Sequence, residues 1–297
     1  MPVDHARRSL IAASLAVAAM PFSRAFAQAE GEGPVARLAA LERRHGGRLG
    51  VAVLDTVGGR RINHRGEERF PMCSTFKWLA AAQVLARVDR GEERLDRRVV
   101  FGKDDLVPYS PVTEKRVGAP GMTLAELCDA AVTRSDNTAG NLLLASFGGP
   151  AGLTAFARSI GDTRTRLDRI EPELNEAMPG DPRDTTTPAM MLHDLQALLL
   201  GDALSAASRA QLTAWLVANK TGDERLRAGV PADWRAGDKT GTGNHGVTND
   251  VAILWPPGRG PLLVAAYYAG AAGATQAQRN AVLADVGRIV AGLVRAA

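Results

Sequence analysis

The segments with strand character lie near the two ends of this chain, and the region between them is helical. Five segments are rich in apolar and β-branched residues and are bounded by turn-forming residues: residues 48–55, 61–64, 234–242, 249–255 and 262–268. Gly58-Gly59 provides a hairpin turn between the first two. The last three follow one another closely, which is typical of an antiparallel meander. This order predicts one antiparallel five-stranded sheet to which both chain ends contribute.

Helical periodicity occupies the middle of the chain and its C-terminal end. Apolar residues recur at helical spacing in residues 35–45, 74–90, 137–147, 188–200, 205–217 and 275–294. Thr123-Leu124-Ala125-Glu126 and Thr275-Gln276-Ala277-Gln278 have the form of a capping box, which marks a helix start. We therefore expect an α/β (α+β) fold in which helices from both chain ends flank the sheet and an all-helical lobe is inserted.

The expected domain organisation follows from these segments. Residues 28–297 are predicted to form a single domain, with an α/β lobe at about 33–66 and 222–297 and a helical lobe at about 67–221. A ligand cleft is expected between the lobes. Residues 166–187 break the helical pattern with three prolines and Gly180, and irregular loops of this length are usually functional.

Composition restricts the class of protein. With 297 residues, 45% hydrophobic and 23% charged, the chain can bury a large core. The formal charge is +4; residues 1–27 contribute +2 of it, which leaves 4 − 2 = +2 for the remainder. This weak balance gives no support for nucleic-acid binding.

The N-terminus has the pattern of an export signal. Arg7-Arg8 precedes an apolar run at residues 10–20, and Ala25-Phe26-Ala27 supplies a small-x-small cleavage site. The apolar run is too short to span a bilayer, so we expect no membrane anchor after cleavage near Ala27. The predicted location is the periplasm, and the sequence leaves the general and twin-arginine export routes both open.

Four short motifs carry the chemistry. Ser74-Thr75-Phe76-Lys77 places an amine beside a hydroxyl at helical i, i+3 spacing, which makes Ser74 the predicted nucleophile. It is followed by Ser135-Asp136-Asn137, by Glu171 with Asn175, and by Lys239-Thr240-Gly241. Lys77 can accept a proton only if its pKa is lowered, and both burial and Lys239 as a second cation would lower it.

In this order, over residues 49–270, the motifs resemble those of the class A serine β-lactamases. The resemblance implies the fold shared by serine β-lactamases and penicillin-binding proteins. It implies that Ser74 forms an acyl-enzyme with a β-lactam, that Ser135 passes a proton to the leaving nitrogen, and that Glu171 and Asn175 hold the deacylating water. Whether Glu171 or Lys77 is the base during acylation stays open.

The same resemblance assigns the substrate contacts. Asn137 binds the acylamino side chain, Lys239 and Thr240 anchor the carboxylate, and Gly241 allows close approach of the ligand to the backbone. The amides of Ser74 and Thr242 correspond to an oxyanion hole. Asp136 is expected to be a scaffold residue. Arg169 and Asp184 are expected to form an ion pair at the neck of the irregular loop.

The sequence departs from the family pattern at several positions. Thr248 stands where many members carry an arginine, and Arg225 is expected to substitute for it; the alternative is a solvated arginine on a charged helix. Tyr109 resembles the aromatic wall of the cleft. Cys73 and Cys128 are expected to be unpaired thiols. Gly243 replaces a cysteine found in several carbapenem-hydrolysing members, so carbapenem hydrolysis is not indicated.

The expected substrates are penicillins and cephalosporins, and their hydrolysis implies β-lactam resistance. The five histidines form no metal-binding pattern, so neither a metal nor a cofactor is expected. Two alternatives remain: a penicillin-binding D,D-peptidase, and a catalytically dead periplasmic binding or sensor domain. The sequence fixes neither the preferred lactam nor the inhibitor response, and a monomer is the expected state.

Overall fold

The computed structural model describes residues 33–295. The helices are α1 (Pro34–His45), α2 (Phe76–Asp89), α3 (Leu124–Thr133), α4 (Asn137–Ala145), α5 (Gly149–Ser159), α6 (Pro188–Leu199), α7 (Ala206–Val217), α8 (Leu226–Gly229) and α9 (Gln276–Arg295). The strands are β1 (Arg48–Asp55), β2 (Arg61–His64), β3 (Phe70–Pro71), β4 (Arg98–Val99), β5 (Met122–Thr123), β6 (Thr185–Thr186), β7 (Arg235–Gly243), β8 (Val247–Trp255) and β9 (Leu262–Ala269). The predicted export signal lies outside the described residues.

The main sheet has five strands in the order β2-β1-β9-β8-β7, and every neighbouring pair is antiparallel. The C-terminal strands form the predicted meander, with Lys239 opposite Val251 and Ala252 opposite Val264. Strand β1 joins them through β9. The predicted fold class is therefore confirmed, and β7, which carries Lys239-Thr240-Gly241, is an edge strand of the sheet.

The two faces of the sheet pack on different helices. Because side chains alternate along a strand, Val51 and Val53 of β1 belong to one apolar cluster, whereas Ala52 and Leu54 belong to another. The first cluster packs under α1 and α9, and the second packs against α6 and the helices of the middle segment. The active-site strand β7 thus rests on a sheet that is covered on both faces.

Helix α2 is the centre of the helical region. Each of its residues from 76 to 86 is buried, and α3, α4, α5 and α7 pack around it. A helix that is apolar on all sides is typical of such a central position. Trp78 is fully buried, and its indole nitrogen donates to Met191 Sδ at 3.3 Å. This packing holds the start of α2 in one place.

Some boundaries differ from the sequence prediction. The helix predicted at 74–90 begins as a 3₁₀ turn, Cys73–Thr75, and becomes α-helical only at Phe76. Helix α5, for which the sequence analysis gave no range, begins at Gly149 with Pro150 in its first turn. The irregular segment contains a 3₁₀ turn, Glu173–Asn175, and the short strand β6, which pairs with β3. Within residues 33–295, no helix has the length and apolar character needed to cross a membrane.

Candidate active site

Ser74 lies in the 3₁₀ turn that leads into α2, and Lys77 lies in the first turn of that helix. The Lys77 ammonium nitrogen donates to Ser74 Oγ at 2.9 Å, as the i, i+3 spacing predicts. Cys73, just before Ser74, has a positive φ of 46°. This left-handed residue turns the chain sharply before the helix, so that the Ser74 hydroxyl points into the cleft that it lines.

Lys77 is fully buried and surrounded by acceptors. Besides Ser74, its Nζ contacts Ser135 O at 2.8 Å, Asn137 Oδ1 at 2.6 Å and Glu171 Oε1 at 2.9 Å. Burial lowers the pKa of Lys77 from its ordinary value, and the charge of Glu171 opposes that shift. A lysine in this position can give up a proton more readily than a solvated one.

The Ser135-Asp136-Asn137 segment turns between α3 and α4. Ser135 has a positive φ of 57°, which directs its carbonyl to Lys77. Asp136 is fully buried; it accepts from Ala139 N at the start of α4 and from the amide and hydroxyl of Thr113. Asp136 therefore makes only scaffold contacts, which is the role that sequence predicted.

Lys239 reaches the same centre from β7. Its Nζ donates to Ser135 Oγ at 3.0 Å and to Thr240 O at 2.8 Å. Burial lowers the pKa of Lys239 well below its usual range, and the nearby charge of Lys77 lowers it further. Burial is thus the main cause of the lowered pKa at both lysines; the repulsion expected from sequence contributes at Lys239 and is not among the main causes at Lys77.

Glu171 and Asn175 approach Ser74 from the irregular loop. The Ser74 hydroxyl donates to Glu171 Oε1 at 3.1 Å, and Asn175 Nδ2 donates to Glu171 Oε2. Glu171 is fully buried, and Asn175 Oδ1 accepts no hydrogen bond from the described residues. The carboxylate is therefore placed beside the nucleophile with a buried amide oxygen next to it.

Polar contacts hold this loop. Asp184 accepts from the amides of Asp168 and Arg169 at 2.8 and 2.9 Å, and its other oxygen accepts from the Arg169 guanidinium at 2.6 Å. At the far side of the loop, Asn244 N in the β7–β8 turn donates to Asn175 O at 2.9 Å. The loop is thus closed at its neck and attached to the sheet beside Asn175.

Sequence reasoning did not identify Asn141, which fixes the backbone of Glu171. Its Nδ2 donates to Glu171 O at 2.9 Å, and Glu171 N donates to its Oδ1 at 2.9 Å. Asn141 lies four residues after Asn137 in α4, so both point to the same side of that helix. This i, i+4 pair of asparagines was a signal that the sequence offered.

A cavity of about 570 Å³ opens over these residues. It is lined by Ser74, Tyr109, Ser135, Asn137, Asn175, Lys220, Thr221, Arg225, Thr240, Thr242 and Gln276. Tyr109 is 63% exposed at its rim, where a wall residue was expected. Lys220, Thr221 and Gln276 were not identified from sequence as cleft residues, because none of them belongs to a catalytic motif and Gln276 was singled out only as part of a capping box. Thr221 shares a hydrogen bond of 2.5 Å with Thr240.

Arg225 is a buried arginine, and the alternative of a solvated one is wrong. Its guanidinium donates to Gly241 O, to Asn249 O and to Thr242 Oγ1, at 2.9, 2.7 and 2.6 Å. Burial lowers the pKa of Arg225. Its charge therefore lies beneath the end of β7, where it also orients the Thr242 hydroxyl.

Close packing explains the glycines of β7. A Cβ at Gly241 would lie 2.6 Å from Met72 O, which is too close for any other residue without movement of the backbone. A Cβ at Gly243 would lie 2.5 Å from Cys73 Sγ. Cys73 and Cys128 are both buried and free, and burial raises the pKa of each thiol. Neither thiol has the exposure or lowered pKa of a reactive cysteine.

The described part of the chain contains no group of three or more His, Cys, Asp or Glu side chains that could hold a metal ion. The chemistry available at this site is that of a buried serine, two buried lysines and a carboxylate. These are the components of nucleophilic catalysis through a covalent intermediate.

Comparisons with known proteins point to the same chemistry. A family model described as "Beta-lactamase enzyme family" matches residues 34–294. Beta-lactamase AST-1 of Nocardia asteroides is 49% identical over 96% of this chain and 94% of its own length. The carbapenem-hydrolyzing beta-lactamase KPC of Klebsiella oxytoca is 55% identical over 77% of this chain and 78% of its own. An ancestral class A beta-lactamase structure is 69% identical with a TM-score of 0.86, covering 88% of this chain and 99% of that one.

Proposed function

Because the chain belongs to the class A β-lactamases, enzymes that hydrolyse the amide bond of a β-lactam ring, we propose that Ser74 is the nucleophile of this reaction. The observation that carries the assignment is the convergence of Lys77 and Glu171 on the Ser74 hydroxyl, at 2.9 and 3.1 Å. A serine becomes a useful nucleophile only beside such a base. The product of its attack is an ester between Ser74 and the opened lactam.

Two groups can accept the Ser74 proton during acylation. An ammonium can only donate, so in this arrangement Lys77 donates to Ser74 Oγ and the hydroxyl donates to Glu171 Oε1. In this protonation state Glu171 accepts the hydrogen bond of the hydroxyl, and in its absence Lys77 is the group that remains to accept the proton. Lys77 becomes an acceptor when it is neutral, and its lowered pKa makes that form more accessible. Acylation that persists in Glu171→Ala would assign the role to Lys77.

The developing oxyanion is proposed to lie against the backbone amides of Ser74 and Thr242. Ser74 stands at the start of α2, where the helix dipole favours negative charge. Thr242 belongs to the edge strand β7, one side of which pairs with no other strand of the five-stranded sheet. Such donors typically contribute about 3 kcal/mol to stabilising the transition state.

Ser135 is proposed to protonate the leaving nitrogen. Its Oγ accepts a hydrogen bond from Lys239 Nζ at 3.0 Å, so its own proton is available to the substrate. The cleavage of the C–N bond then transfers that proton to the lactam nitrogen. A proton can return to Ser135 through the same contact with Lys239.

Deacylation is proposed to use Glu171 as a base and Asn175 as the group that orients water. Glu171 removes a proton from the water, and the resulting hydroxide attacks the ester carbonyl and releases Ser74. Asn175 Oδ1 is buried and accepts nothing from the described residues, so it can accept a hydrogen bond from the other hydrogen of that water. Positioning of this kind contributes to the rate alongside basicity.

The substrate contacts are proposed from the lining of the cleft. Thr240, Thr242 and the charges of Lys239 and Arg225 make the β7 end of the cavity suited to a carboxylate. Asn137 lies at the other side for the acylamino group, with Tyr109 as an aromatic wall. The substrates are the small-molecule β-lactams, in particular penicillins and cephalosporins. Carbapenem hydrolysis is not part of the proposal.

Export to the periplasm is proposed from the pattern of residues 1–27, and a monomer with a single domain is proposed for the mature chain. Transfer of the first 27 residues to a reporter enzyme tests the first point. Export of the reporter, with a cleavage that is lost when the Ala25-Phe26-Ala27 site is replaced, would support it. A reporter that remains inside the cell would contradict it.

Turnover of a chromogenic cephalosporin tests the proposed catalysis. We expect many turnovers per enzyme molecule for the wild type, no turnover for Ser74→Ala, and wild-type turnover for the matched control Ser159→Ala on the surface of α5. A single burst followed by slow release would instead indicate a D,D-peptidase. Binding without product would indicate a sensor domain.

A further inference from the structure

A second cavity of about 730 Å³ lies behind the catalytic loop, on the side away from Ser74. We call it the loop cavity. One wall consists of loop residues 177–182, and the opposite walls are the β7–β8 turn and the ends of β1 and β9. Its volume falls within the range of pockets that enclose small organic molecules. The active-site residues Ser74, Lys77, Glu171 and Lys239 do not line it.

Much of the lining is apolar. The loop contributes Ala177, Met178 and Pro182, and the sheet contributes Val247 and Ala269. Met178 is 44% exposed, which makes it one of the few large apolar side chains that face solvent within the described residues. A pocket with these walls gains free energy when it covers an apolar molecule.

Three arginines and three carboxylates line the loop cavity, so its formal charge is zero, but one of the carboxylates is paired with an arginine outside the lining. Glu68 pairs with Arg48, and Asp181 pairs with Arg183, at 3.0 and 2.7 Å. Among residues 33–295, neither Arg69 nor Arg164 has a carboxylate within 4.0 Å; Glu67 is also unpaired, but it is a single charge against two. The uncompensated charge of the cavity is therefore positive.

Arg69 is fixed rather than free. Its NH1 donates to Arg164 O at 2.9 Å and to Thr185 Oγ1 at 3.0 Å. Burial lowers the pKa of Arg69, and the charges of Arg164 and Arg166 lower it further. An anion next to these guanidinium groups would relieve their repulsion. Arginine is also well suited to hold a carboxylate or sulfonate by paired hydrogen bonds.

From the unpaired Arg69 and Arg164 beside apolar walls, we propose that the loop cavity binds an amphiphilic organic anion. The anionic group contacts the two arginines, and the apolar body packs on Met178, Pro179 and Pro182. A neutral molecule of the same shape would lack the ionic contact, and an inorganic anion would lack the apolar one.

Occupancy of the loop cavity is expected to affect deacylation. Asn175 lies two residues before Ala177, and its carbonyl accepts from Asn244 N in the turn that forms the opposite wall. A molecule held between the loop and the β7–β8 turn therefore contacts the two segments that fix the position of Asn175. This consequence rests on the water-orienting role proposed for Asn175, whereas binding itself does not.

Fluorescence of 8-anilino-1-naphthalenesulfonate measures binding without any β-lactam present. We expect saturable binding of one molecule, weakened about two- to fivefold by Arg164→Gln, since a solvent-accessible ion pair is lost. Arg43→Gln, an exposed arginine on α1, is the matched control and should bind as the wild type does. N-phenyl-1-naphthylamine, which lacks the sulfonate, should bind more weakly to the wild type and equally to both variants.

Three results would overturn the proposal: no saturable binding, equal affinity in Arg164→Gln and wild type, or displacement of the probe by an inhibitor that occupies the Ser74 cleft. The coupling is tested separately by the rate of deacylation in a single turnover. We expect the probe to change that rate at least about threefold in the wild type, and Arg164→Gln to need a correspondingly higher probe concentration for the same change. If the probe binds and the deacylation rate is unchanged, the proposed effect on deacylation is wrong, while the proposed binding site stands.

Discussion

The residues of acylation and those of deacylation are held in the active site by different means. Ser74, Lys77, Ser135 and Lys239 stand on or at the ends of helices and on a strand, which are fixed by the core around α2 and by the central sheet. Glu171 and Asn175 stand on an irregular loop, and its side chains and backbone are held by individual hydrogen bonds. Acylation should therefore be robust to changes at a distance, while deacylation should depend on a few polar contacts.

The loop is not simply loose. Leu174, between the two deacylation residues, is fully buried in the main apolar cluster, and Glu171 is bracketed by Asn141. The contrast with α2 lies in redundancy: a helix has many equivalent hydrogen bonds, whereas at the loop neck the Asp184 carboxylate alone accepts from the amides of both Asp168 and Arg169. Loss of that carboxylate leaves the two amides without this acceptor, although Arg169 keeps its contact with Glu176.

The largest expected effect is on the acylation residues themselves. Lys77→Ala removes the only ammonium that contacts Ser74 within the described residues, and we expect kcat/KM to fall about 10³-fold. Rapid mixing with a chromogenic cephalosporin gives the acylation rate. Lys220→Ala, an exposed lysine of the same cleft, is the control and should change kcat/KM less than about threefold. Equal effects of the two substitutions would contradict the assignment.

The next largest effect is expected at the neck of the loop, where a substitution should slow deacylation and leave acylation nearly unchanged. Asp184→Asn weakens the contact with Arg169, so we expect the deacylation rate to fall about tenfold while the acylation rate changes less than about threefold. The melting temperature should fall only slightly, and the substrate range should change. Asp96→Asn, in an exposed pair with Arg94 outside the loop, is the control. Parallel losses in both steps would show that the halves are not independent.

Arg225 tests the carboxylate end of the cleft. Arg225→Lys keeps the charge but cannot reach Gly241 O, Asn249 O and Thr242 Oγ1 together. We expect KM to rise about tenfold for substrates with a carboxylate, with kcat reduced less. Steady-state kinetics on one penicillin and one cephalosporin measure the split. A fall in kcat with unchanged KM would assign Arg225 to the scaffold alone.

The smallest expected effect is on stability, at the base of the loop. Asp194 of α6 is fully buried, and neither of its carboxylate oxygens has a partner among the described residues. Burial and the charge of Asp162 raise the pKa of Asp194 well above its usual range. Asp162, in turn, accepts from the amides of Arg164 and Thr165, where the loop begins.

A raised pKa means that the folded state holds the Asp194 proton more tightly than the unfolded state does. The contribution of the protonated Asp194 carboxyl to folding stability is complete below the pKa of about 4 that it has in the unfolded state. This contribution is lost as pH rises through the higher pKa that Asp194 has in the folded state. Asparagine does not ionise, so the stability of Asp194→Asn does not fall with pH in this way. We expect its melting temperature to exceed that of the wild type by a few degrees at pH 7 and by less at pH 4. Scanning calorimetry at both pH values measures it. A larger gain at pH 4 would contradict the sign.

Much of the fold could be predicted because its strands have a simple pattern. Residues 48–55 and 61–64 were predicted at the bounds that β1 and β2 have, and the meander of β7, β8 and β9 was predicted to within a few residues. The turn at Cys73 was missed, because its positive φ is imposed by packing against β7 and not by local propensity. Sequence places a motif on an element, but the approach of two elements decides the backbone at their contact.

The active-site residues also divide into those that a local sequence pattern identifies and those that depend on contacts between distant segments. Residues in short motifs, such as Ser74 and Lys239, were identified directly, and the structure brings them within hydrogen-bonding distance through Lys77 and Ser135. Gln276, and Asn244 with its hold on Asn175, were not identified, because their contacts are made by backbone atoms or by segments far away in sequence. No periodicity reports such contacts.

The central claim, that Glu171 belongs to the deacylation half, is tested most directly by the mass of the protein after exposure to a penicillin. In Glu171→Ala, we predict that Ser74 is acylated and that the protein retains the mass of one intact penicillin for minutes or longer. The wild type, treated in the same way, should return to its own mass as soon as the substrate is consumed. A Glu171→Ala protein that sheds the adduct at the wild-type rate would contradict the account.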